Sequence, residues 1–577
     1  MDKHQIAEIF EEIALLLEMK DENPFRIRAY RNAARSLLNT EKDLKKLIKE
    51  DALTELEGIG QDLAEKIETL AIKERLPFYD KLKKSVPKAV LRLREVHGLG
   101  AKKIKILYTK LKLETAEDLK KACQEGKVAK LKGFGVKTEQ NILEALEAKA
   151  TYAKRHLWWD AWAIAVPILE KIKKLKGVKR AEITGSLRRN LETIGDLDFL
   201  AASTNSKLIT EWFTSQPEVA KVLAKGDTKS SVLLKEGIQA DLRVVDESEF
   251  GFAMIYFTGS KEHNVKLREK ARKKGWSMSE YNFTSLGKKL PALPQKPTET
   301  EVYKSLGFSY IPPELRENGG EFEAAERGKI PPLIEEADIR GTFHNHTTAS
   351  DGKNNLKEML QAAEKQGWDY IGISDHSKGS FQANGLSQER LEEQIATIQK
   401  INRSEEFKLH VFAGTECDVL PDGKLDFSDA LLKKLDFVIV SIHSALTLDE
   451  KTMTKRLIRA IENPYSTMVG HVTGRLLLRR EAYKINVPKV IDACIANKKI
   501  IELNGNPWRL DMDWRYWHSA SEKGLMCCIN TDAHSAKDLC LIKAGVNVAR
   551  KGWLEKKHVI NTLTLPQIQK LLQQMRR

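Results

Sequence analysis

Seven short apolar runs recur between residues 342 and 534, in TFHNH, YIGISDH, KLHVFAGTE, FVIVSIH, TMVGH, KIIELNG and MCCINTDAH, with charged helical segments between them. Parallel strands need a crossover long enough to hold a helix, so this alternation predicts βα units in a second α/β domain that starts near residue 338. Ligands of such sheets and barrels gather at the carboxyl ends of the strands. Polar residues cluster at those ends: His344, His346, Asp351, His376, Glu416, His443, His471, Asp532 and His534. His344 and His346 are two residues apart, so in an extended strand their rings share a face.

Any one of these histidines would be explained as well by a buried ring bonded to a carbonyl. Six of the chain's 13 histidines with three carboxylates at one edge are harder to assign to packing. Nine donors exceed what one ion uses, so a centre of two or three divalent ions is expected. Zn²⁺ or Mn²⁺ suits His/Asp/Glu ligation, and such clusters serve phosphoester hydrolysis by activating water and clamping the attacking and leaving oxygens.

HNHTTASDG, SDHS, GTECDVLPDG, SIHS, GH and NTDAH resemble the successive motifs of the PHP (polymerase and histidinol phosphatase) phosphoesterases. The resemblance implies a distorted seven-stranded β/α barrel with a trinuclear metal centre, and all nine positions above match that family's ligands. Thr342-Phe343 stands where the family often has Asp-Leu, at a position that is not a ligand.

The first half reads differently. Residues 1–300 hold 57 Lys+Arg against 44 Asp+Glu, an excess of 13, whereas residues 301–577 hold 39 against 37. A basic bias fits a polyanionic partner, although it also serves solubility. A chain of 577 residues predicts several domains. From 1 to about 150 the pattern is helical, and a unit recurs in LEGIGQDLAEKI, VHGLGAKKIKIL and LKGFGVKTEQNI, with glycine pairs Gly58/Gly60, Gly98/Gly100 and Gly133/Gly135. One such turn would be ordinary. Three, each opening an amphipathic helix and followed by lysines such as Lys102, Lys103 and Lys137, predict amide contacts to DNA phosphates in the helix-hairpin-helix manner.

GSLRRNLETIGDLDFL carries a second chemistry. Asp196 and Asp198 alternate with Leu197 and Phe199, so the carboxylates share one strand face, and Asp241 in ADLRVVD offers a third from a neighbouring strand. Three carboxylates can hold two Mg²⁺, one at a 3′-hydroxyl and one at a triphosphate. A lone Asp-x-Asp would as readily be a solvated edge, but Gly185-Ser186 upstream, with Arg188 and Arg189, supplies a turn that can cradle phosphates.

This set, together with YFTGSKEHNVKLREKARKKG from Tyr256, resembles the family X DNA polymerases, the class of DNA polymerase beta. The resemblance implies that Gly185, Ser186 and Arg189 meet the triphosphate. Tyr256, Phe257 and Gly259 then shape the sugar pocket, Asn264 meets the incoming base edge and Arg268 faces the template. Asn190 stands where the animal enzyme has glycine. FRIRAYRNAA and the first glycine unit are similar to the family's amino-terminal domain, which implies a 5′-phosphate pocket with Arg26 and Tyr30 and a Schiff-base lyase role for Lys66. Asp62 stands where the animal enzyme has lysine, making that pocket less basic, and without the resemblance Lys66 would read as a solvated helix lysine.

The expected architecture is therefore an all-α helix-hairpin-helix domain (1–150), a nucleotidyltransferase palm (151–250), a nucleotide-binding and thumb subdomain (251–317), a linker (318–337) and a PHP barrel (338–577). That order resembles the PolX group of bacterial and archaeal family X polymerases. It implies short-gap filling in base excision repair with Mg²⁺ or Mn²⁺, with a Mn²⁺ or Zn²⁺ barrel acting as 3′-5′ exonuclease and AP endonuclease. The expected partners are gapped or primer-template DNA and dNTPs, with no obligate protein partner. The rival readings make the barrel a structural metal module or a small-molecule phosphatase.

Six cysteines without a Cys-x-x-Cys pair predict reduced thiols in a cytoplasmic protein, and the polymerase resemblance implies association with the nucleoid. The first helix, MDKHQIAEIFEEIALLL, carries acids through its apolar stretch and reads as a docking helix rather than a signal peptide. The most apolar tract, WWDAWAIAVPIL, is broken by Asp160 and Pro167, so no membrane span is expected.

Overall fold

A computed structural model describes residues 1–577 except 2, 21, 40–43, 57, 74, 86–100, 114, 141, 144–145, 147–154, 405 and 577. The chain divides into two compact units, one over Met1–Ala153 and one over the rest apart from 381–383.

The first unit is helical in its described residues, from Lys3–Met19 and Pro24–Asn39 to Gln61–Lys73, Pro77–Lys84, Ala101–Leu111 and Ala116–Gln124. Apolar side chains on the first two helices interlock around Phe10 and Tyr30, whose rings meet edge to face at 5.3 Å.

The two glycines of each described pair meet different demands. Gly58 and Gly133 adopt φ of +78° and +87°, which L side chains rarely accept. Gly60 and Gly135 do not: neither has a left-handed φ, and a Cβ on either would meet nothing within 4 Å. They stand immediately before helices that begin at Gln61 and at 136. The Gly60 carbonyl accepts from the Leu63 and Ala64 amides at 3.0 Å, and the Gly135 carbonyl from the Glu139 amide at 2.9 Å, so both occupy the capping position. Folding alone would tolerate a side chain at Gly60 and Gly135. Gly98 and Gly100 lie outside the described residues.

The second unit opens with a five-stranded sheet. Its strand Asp196–Ser203 runs antiparallel to Val178–Ile183 on one side and parallel to Gln239–Val245 on the other; Lys229–Leu234 and Val219–Lys225 complete it. Leu197 and Phe199 point into the core, as the alternation requires. The helices Phe250–Thr258 and Lys261–Lys273 follow, and a second core forms around Phe252, Tyr303 and Phe308. Residues 318–337, expected as linker, carry the helix Glu321–Glu326, and its Phe322 and Ala325 complete that second core. The glycine and proline content marks turns correctly, but the burial of Phe322 depends on partners remote in sequence.

All seven expected strands of the C-terminal region form, from Gly341–Thr342 to Cys527–Asn530, each parallel to the next in chain order. The first and last meet where the His346 amide donates to the Ala533 carbonyl at 2.8 Å, giving a nearly closed barrel. Phe343, Tyr370, Phe412 and Phe437 form a core cluster with Met468 and with Ile568 and Leu572 of the last helix. A Cβ at Gly372 or Gly414 would come within 2.7 Å or 2.3 Å of the Phe437 ring, so aromatic bulk is accommodated by glycine on neighbouring strands. The histidines and acids are carried at the ends of these strands and on the loops after them.

Palm and barrel share one hydrophobic core rather than two. The barrel's Arg515 pairs with Glu192 of the palm at 3.1 Å and its Lys543 ammonium lies 4.1 Å from the Trp162 ring centre, while Arg550 pairs with Glu314 of the 251–317 segment at 2.7 Å. Among the described residues no helix is long and apolar enough to cross a membrane. None of the six cysteines is in a disulfide, and all but Cys540 are buried.

Candidate functional site

The palm brings its three carboxylates together. Asp198 and Asp241 are register partners on adjacent parallel strands, and Asp196 lies two residues from Asp198 on the same face. Gln239 donates to Asp241 at 2.8 Å and the Lys229 ammonium stands 3.9 Å from it. Burial, then Asp196 and Asp241, push the Asp198 carboxyl up to about 7; burial and Asp241 raise Asp196. Carboxylates crowded this way repel one another until a cation joins them.

Gly185 opens the short turn Gly185–Arg188 with φ +63°, and a Cβ there would lie 2.0 Å from Asp198 Oδ2. Glycine is thus imposed twice, by backbone conformation and by the carboxylate occupying the space. Ser186 is on this turn, beside the triad. The two arginines that follow are both engaged: Arg188 forks onto Glu299 at 2.9 Å and 2.6 Å, and Arg189 donates from Nε to Glu317 at 3.0 Å and from Nη1 to the Thr258 carbonyl. Gly259, at φ +72°, leaves room for the Arg189 guanidinium, because a Cβ there would stand 3.1 Å from Nη1. Tyr256 and Phe257 cross edge to face at 5.1 Å, while Asn264 donates to the Tyr256 carbonyl and Arg268 to the Asn264 carbonyl.

In the helical unit Arg26, Tyr30 and Lys66 surround Phe78. Its ring stacks on Tyr30 at 6.3 Å, and the Arg26 and Lys66 cations lie 5.1 Å and 5.9 Å from its centre. Lys66 is only 15% exposed and pairs with Asp62, so it is not a water-facing helix lysine. Lys103 lies over Phe134 of the third glycine unit at 5.8 Å. Gly60 and Gly135 put no side chain over the first amides of the helices they cap, and such amides are donors that helix geometry leaves without an intrahelical partner.

At the barrel mouth all nine predicted residues converge, and Glu416 is the hub. Its Oε2 stands 3.3 Å from His344 Nε2, 3.6 Å from His346 Nε2 and 2.9 Å from His376 Nδ1; its Oε1 stands 3.2 Å from His443 Nε2 and 2.8 Å from His471 Nε2. Asp351 lies between His376 at 3.7 Å and His534 at 3.4 Å, and Asp532 Oδ1 faces His344 at 3.5 Å and His346 at 3.3 Å. Three overlapping groups have spacing fit for an ion: His346, Asp351, His376 and His534; His344, His346 and Glu416; His376, Glu416 and His443. Nε2 of His344, both ring nitrogens of His346 and Nδ1 of His376 are buried without a well-formed hydrogen bond, the state expected of metal ligands, whereas His471 bonds Glu416 through Nε2 at 2.8 Å. Burial opposes charge on His344, but Glu502, Glu416 and Asp532 outweigh it and hold its pKa well above the usual value. The donor set therefore fits divalent cations.

The supporting residues were not read from the sequence. Glu502 Oε1 accepts from His344 Nδ1 at 2.6 Å and Asn530 Nδ2 at 3.0 Å; its Oε2 accepts from the His471 amide at 2.7 Å and Asn504 Nδ2 at 3.2 Å. Asp418 Oδ1 holds His443 Nδ1 at 2.8 Å. Each holds the ring nitrogen that faces away from the hub and so turns Nε2 toward Glu416. A carboxylate between Ile501 and Leu503 in a fully buried strand was the available signal for Glu502.

Family models match "DNA polymerase beta thumb" over 253–317, "Helix-hairpin-helix domain" over 1–76, "SAM-like Helix-hairpin-helix tandem" over 90–148 and "PHP domain" over 342–506. Asp532 and His534 lie beyond the last match, yet their side chains stand beside His344, His346 and Asp351. A "Probable phosphatase" of Caldicellulosiruptor bescii is 35% identical over 28% of this chain and 64% of its own, and one of Thermoanaerobacter sp. (strain X514) is 26% identical over 38% and 89%. The "DNA polymerase/3'-5' exonuclease PolX" of Bacillus subtilis (strain 168) is 38% identical over 99% of both chains. With helix-hairpin-helix units, a polymerase-beta thumb and a PHP barrel in one order, and similarity running end to end, the chain belongs to the PolX family of DNA polymerases.

Proposed function

We propose that the chain is a DNA-directed DNA polymerase that fills short gaps, and that its barrel is a metal-dependent phosphoesterase shortening 3′ ends. The carrying observation is the palm triad: Asp196, Asp198 and Asp241 on one face of paired parallel strands, with the Gly185 turn against Asp198. Mg²⁺ or Mn²⁺ held by those carboxylates supplies activation of the 3′-hydroxyl and charge neutralisation at the triphosphate. The chain's own groups do the positioning. Ser186, the amides of its turn and Arg189 receive the phosphates, Tyr256, Phe257 and Gly259 wall the sugar, Asn264 meets the base edge and Arg268 the template. The glycine turns hold the DNA backbone through amides, a contact that ignores sequence and weakens with salt. In this reading Gly58 and Gly133 shape the turns, while Gly60 and Gly135 let a phosphate approach the helix starts closely.

At the barrel, the nine His, Asp and Glu side chains hold a cluster of Mn²⁺ or Zn²⁺, which in this reading has three ions. Glu502 and Asp418 hold the Nδ1 protons of His344 and His443, so that each ring presents Nε2 to an ion, which would displace the proton there. Cleavage at abasic sites is a second use of the same centre. Lys66 serves as a lyase nucleophile only after leaving Asp62. The place of action in this reading is the cytoplasm, on nucleoid DNA.

The test is one gel of a 5′-labelled primer on a gapped template, with Mg²⁺ or Mn²⁺, with and without dNTPs. The parent is compared with Asp196→Ala/Asp198→Ala and with His344→Ala. Extension lost only in the palm variant and shortening lost only in the barrel variant support two separate sites. A parent that does neither refutes the reading. The relatives named "Probable phosphatase" favour a second reading for the barrel alone, a small-molecule phosphatase. Turnover of a free phosphomonoester far above that of DNA ends would select it, and a folded His344→Ala variant that loses only thermal stability would select a structural metal module.

A further inference from the structure

The barrel helix Ile542–Lys551 ends in a lysine whose side chain has no exposed surface. Lysine is almost never fully buried without partners, and here the partners belong to the polymerase half. The Lys551 ammonium donates to the Arg189 carbonyl at 3.0 Å, to the Glu314 carbonyl at 3.3 Å and to Glu317 Oε1 at 2.7 Å, with the Trp514 ring 4.5 Å away. Three donors thus meet three acceptors. Glu317 Oε1 is the same atom that accepts from Arg189 Nε at 3.0 Å. Arg188 shares its carboxylate as well, Glu299 also pairing with the fully buried Arg316 at 2.7 Å. Arg189 is the guanidinium of the turn whose carboxylate takes its second cation from the barrel.

We propose that Lys551 is a positioning residue for nucleotide binding in the palm: it keeps Glu317 paired when Arg189 leaves that carboxylate for the triphosphate. The inference rests on the assignment of Arg189 to the triphosphate made above. A largely buried carboxylate stranded without a cation is costly, so without Lys551 each nucleotide bound through Arg189 would leave Glu317 unpaired. The Lys551 bond to the Arg189 carbonyl also fixes the backbone of the turn. By this route the barrel sets the affinity of the palm for dNTP without touching it.

The experiment measures dNTP KM and kcat in gap filling, 3′-5′ shortening and thermal stability for the full chain and its variants. Lys551→Met is expected to raise the dNTP KM about tenfold, the equivalent of one charge-assisted hydrogen bond. Its kcat and nuclease rate should stay near the parent values. Adding Glu317→Gln, which removes the charge that would be stranded, restores KM toward the parent, and Lys551→Arg retains most of it. A folded Lys551→Met with unchanged KM overturns the proposal. So does a parallel fall of kcat, nuclease and stability that Glu317→Gln does not rescue. Should Lys551→Met fail to fold, Glu317→Gln alone decides: freeing Arg189 is expected to lower KM several-fold, and no change refutes the competition. Arg189→Ala separates the two layers, because an unchanged KM there removes the assignment of Arg189 itself, whereas a raised KM beside an inert Lys551→Met removes only this inference.

Discussion

Glu502→Gln is a near-isosteric change whose effect can be worked out atom by atom. Each Glu502 oxygen accepts two hydrogen bonds, from His344 Nδ1 and Asn530 on one side and from the His471 amide and Asn504 on the other. A glutamine must turn its NH₂ toward one of these pairs of donors. The His471 backbone amide cannot become an acceptor. His344 can, by moving its proton to Nε2, the nitrogen 3.3 Å from Glu416 and 3.5 Å from Asp532. The cheapest repair of the hydrogen bond therefore protonates the nitrogen that ligates. Regaining the ligating tautomer costs about one charge-assisted hydrogen bond, ~1.5–3 kcal/mol, or about 10- to 100-fold in metal affinity. Calorimetric titration of the apo-protein with Mn²⁺ or Zn²⁺ against a competing chelator reads this directly, and 3′-end shortening should fall with it while primer extension is unchanged. Parent-like metal affinity in a folded Glu502→Gln protein would refute the tautomer argument.

Gly185→Ala adds a Cβ 2.0 Å from Asp198 Oδ2 at a φ of +63° and displaces that carboxylate; we expect extension to drop at least about 100-fold with shortening intact, judged on the same gel. Gly251→Ala sets a Cβ 2.1 Å from the Pro297 carbonyl oxygen; overpacking of this kind costs about 1–3 kcal/mol and should lower the calorimetric transition of the second unit. Because burial and its neighbours raise Asp198 to about 7, the ion-free folded chain binds more protons than the unfolded chain between the ordinary carboxylate range and that pH. This group's contribution to stability therefore declines as pH rises through that window. A divalent cation displaces the proton, so Mg²⁺ affinity at the palm climbs with pH up to about 7 and then levels, a slope that Asp198→Asn removes; flat affinity from about pH 5.5 to 7 would contradict the shift.

The barrel was legible because its signal is local: an apolar run, then His, Asp or Glu, then a helix. That holds even where the strand is two residues long, as at Gly341–Thr342 and Met468–Val469. The palm triad was legible for the same reason, since strand alternation fixes the face of Asp196 and Asp198, and only the pairing of Asp198 with Asp241 needed the fold. The glycine pairs were legible as turns before helices, but their letters alone could not separate Gly58 and Gly133, which the backbone demands, from Gly60 and Gly135, which it does not. What stayed hidden depends on long-range proximity. Nothing near Phe322 in the chain distinguishes it from a residue of a polar connector; it is the packing of Phe308 and His263 against it that buries it. Arg189, Glu317 and Lys551 are brought together from three distant segments, and no spacing rule links them.

The shared core of palm and barrel bears on how such a chain can change over generations. A truncation that discarded the barrel would uncover the face of Trp162, which lies under Lys543, and leave Glu192, Glu314 and Glu317 without Arg515, Arg550 and Lys551. Inheritance of the polymerase half alone would then require a patch of aromatic and acidic positions to be rewritten at once. Loss of the second activity is more readily reached by point changes among the nine His, Asp and Glu side chains at the barrel mouth, which would erase the chemistry and keep the scaffold.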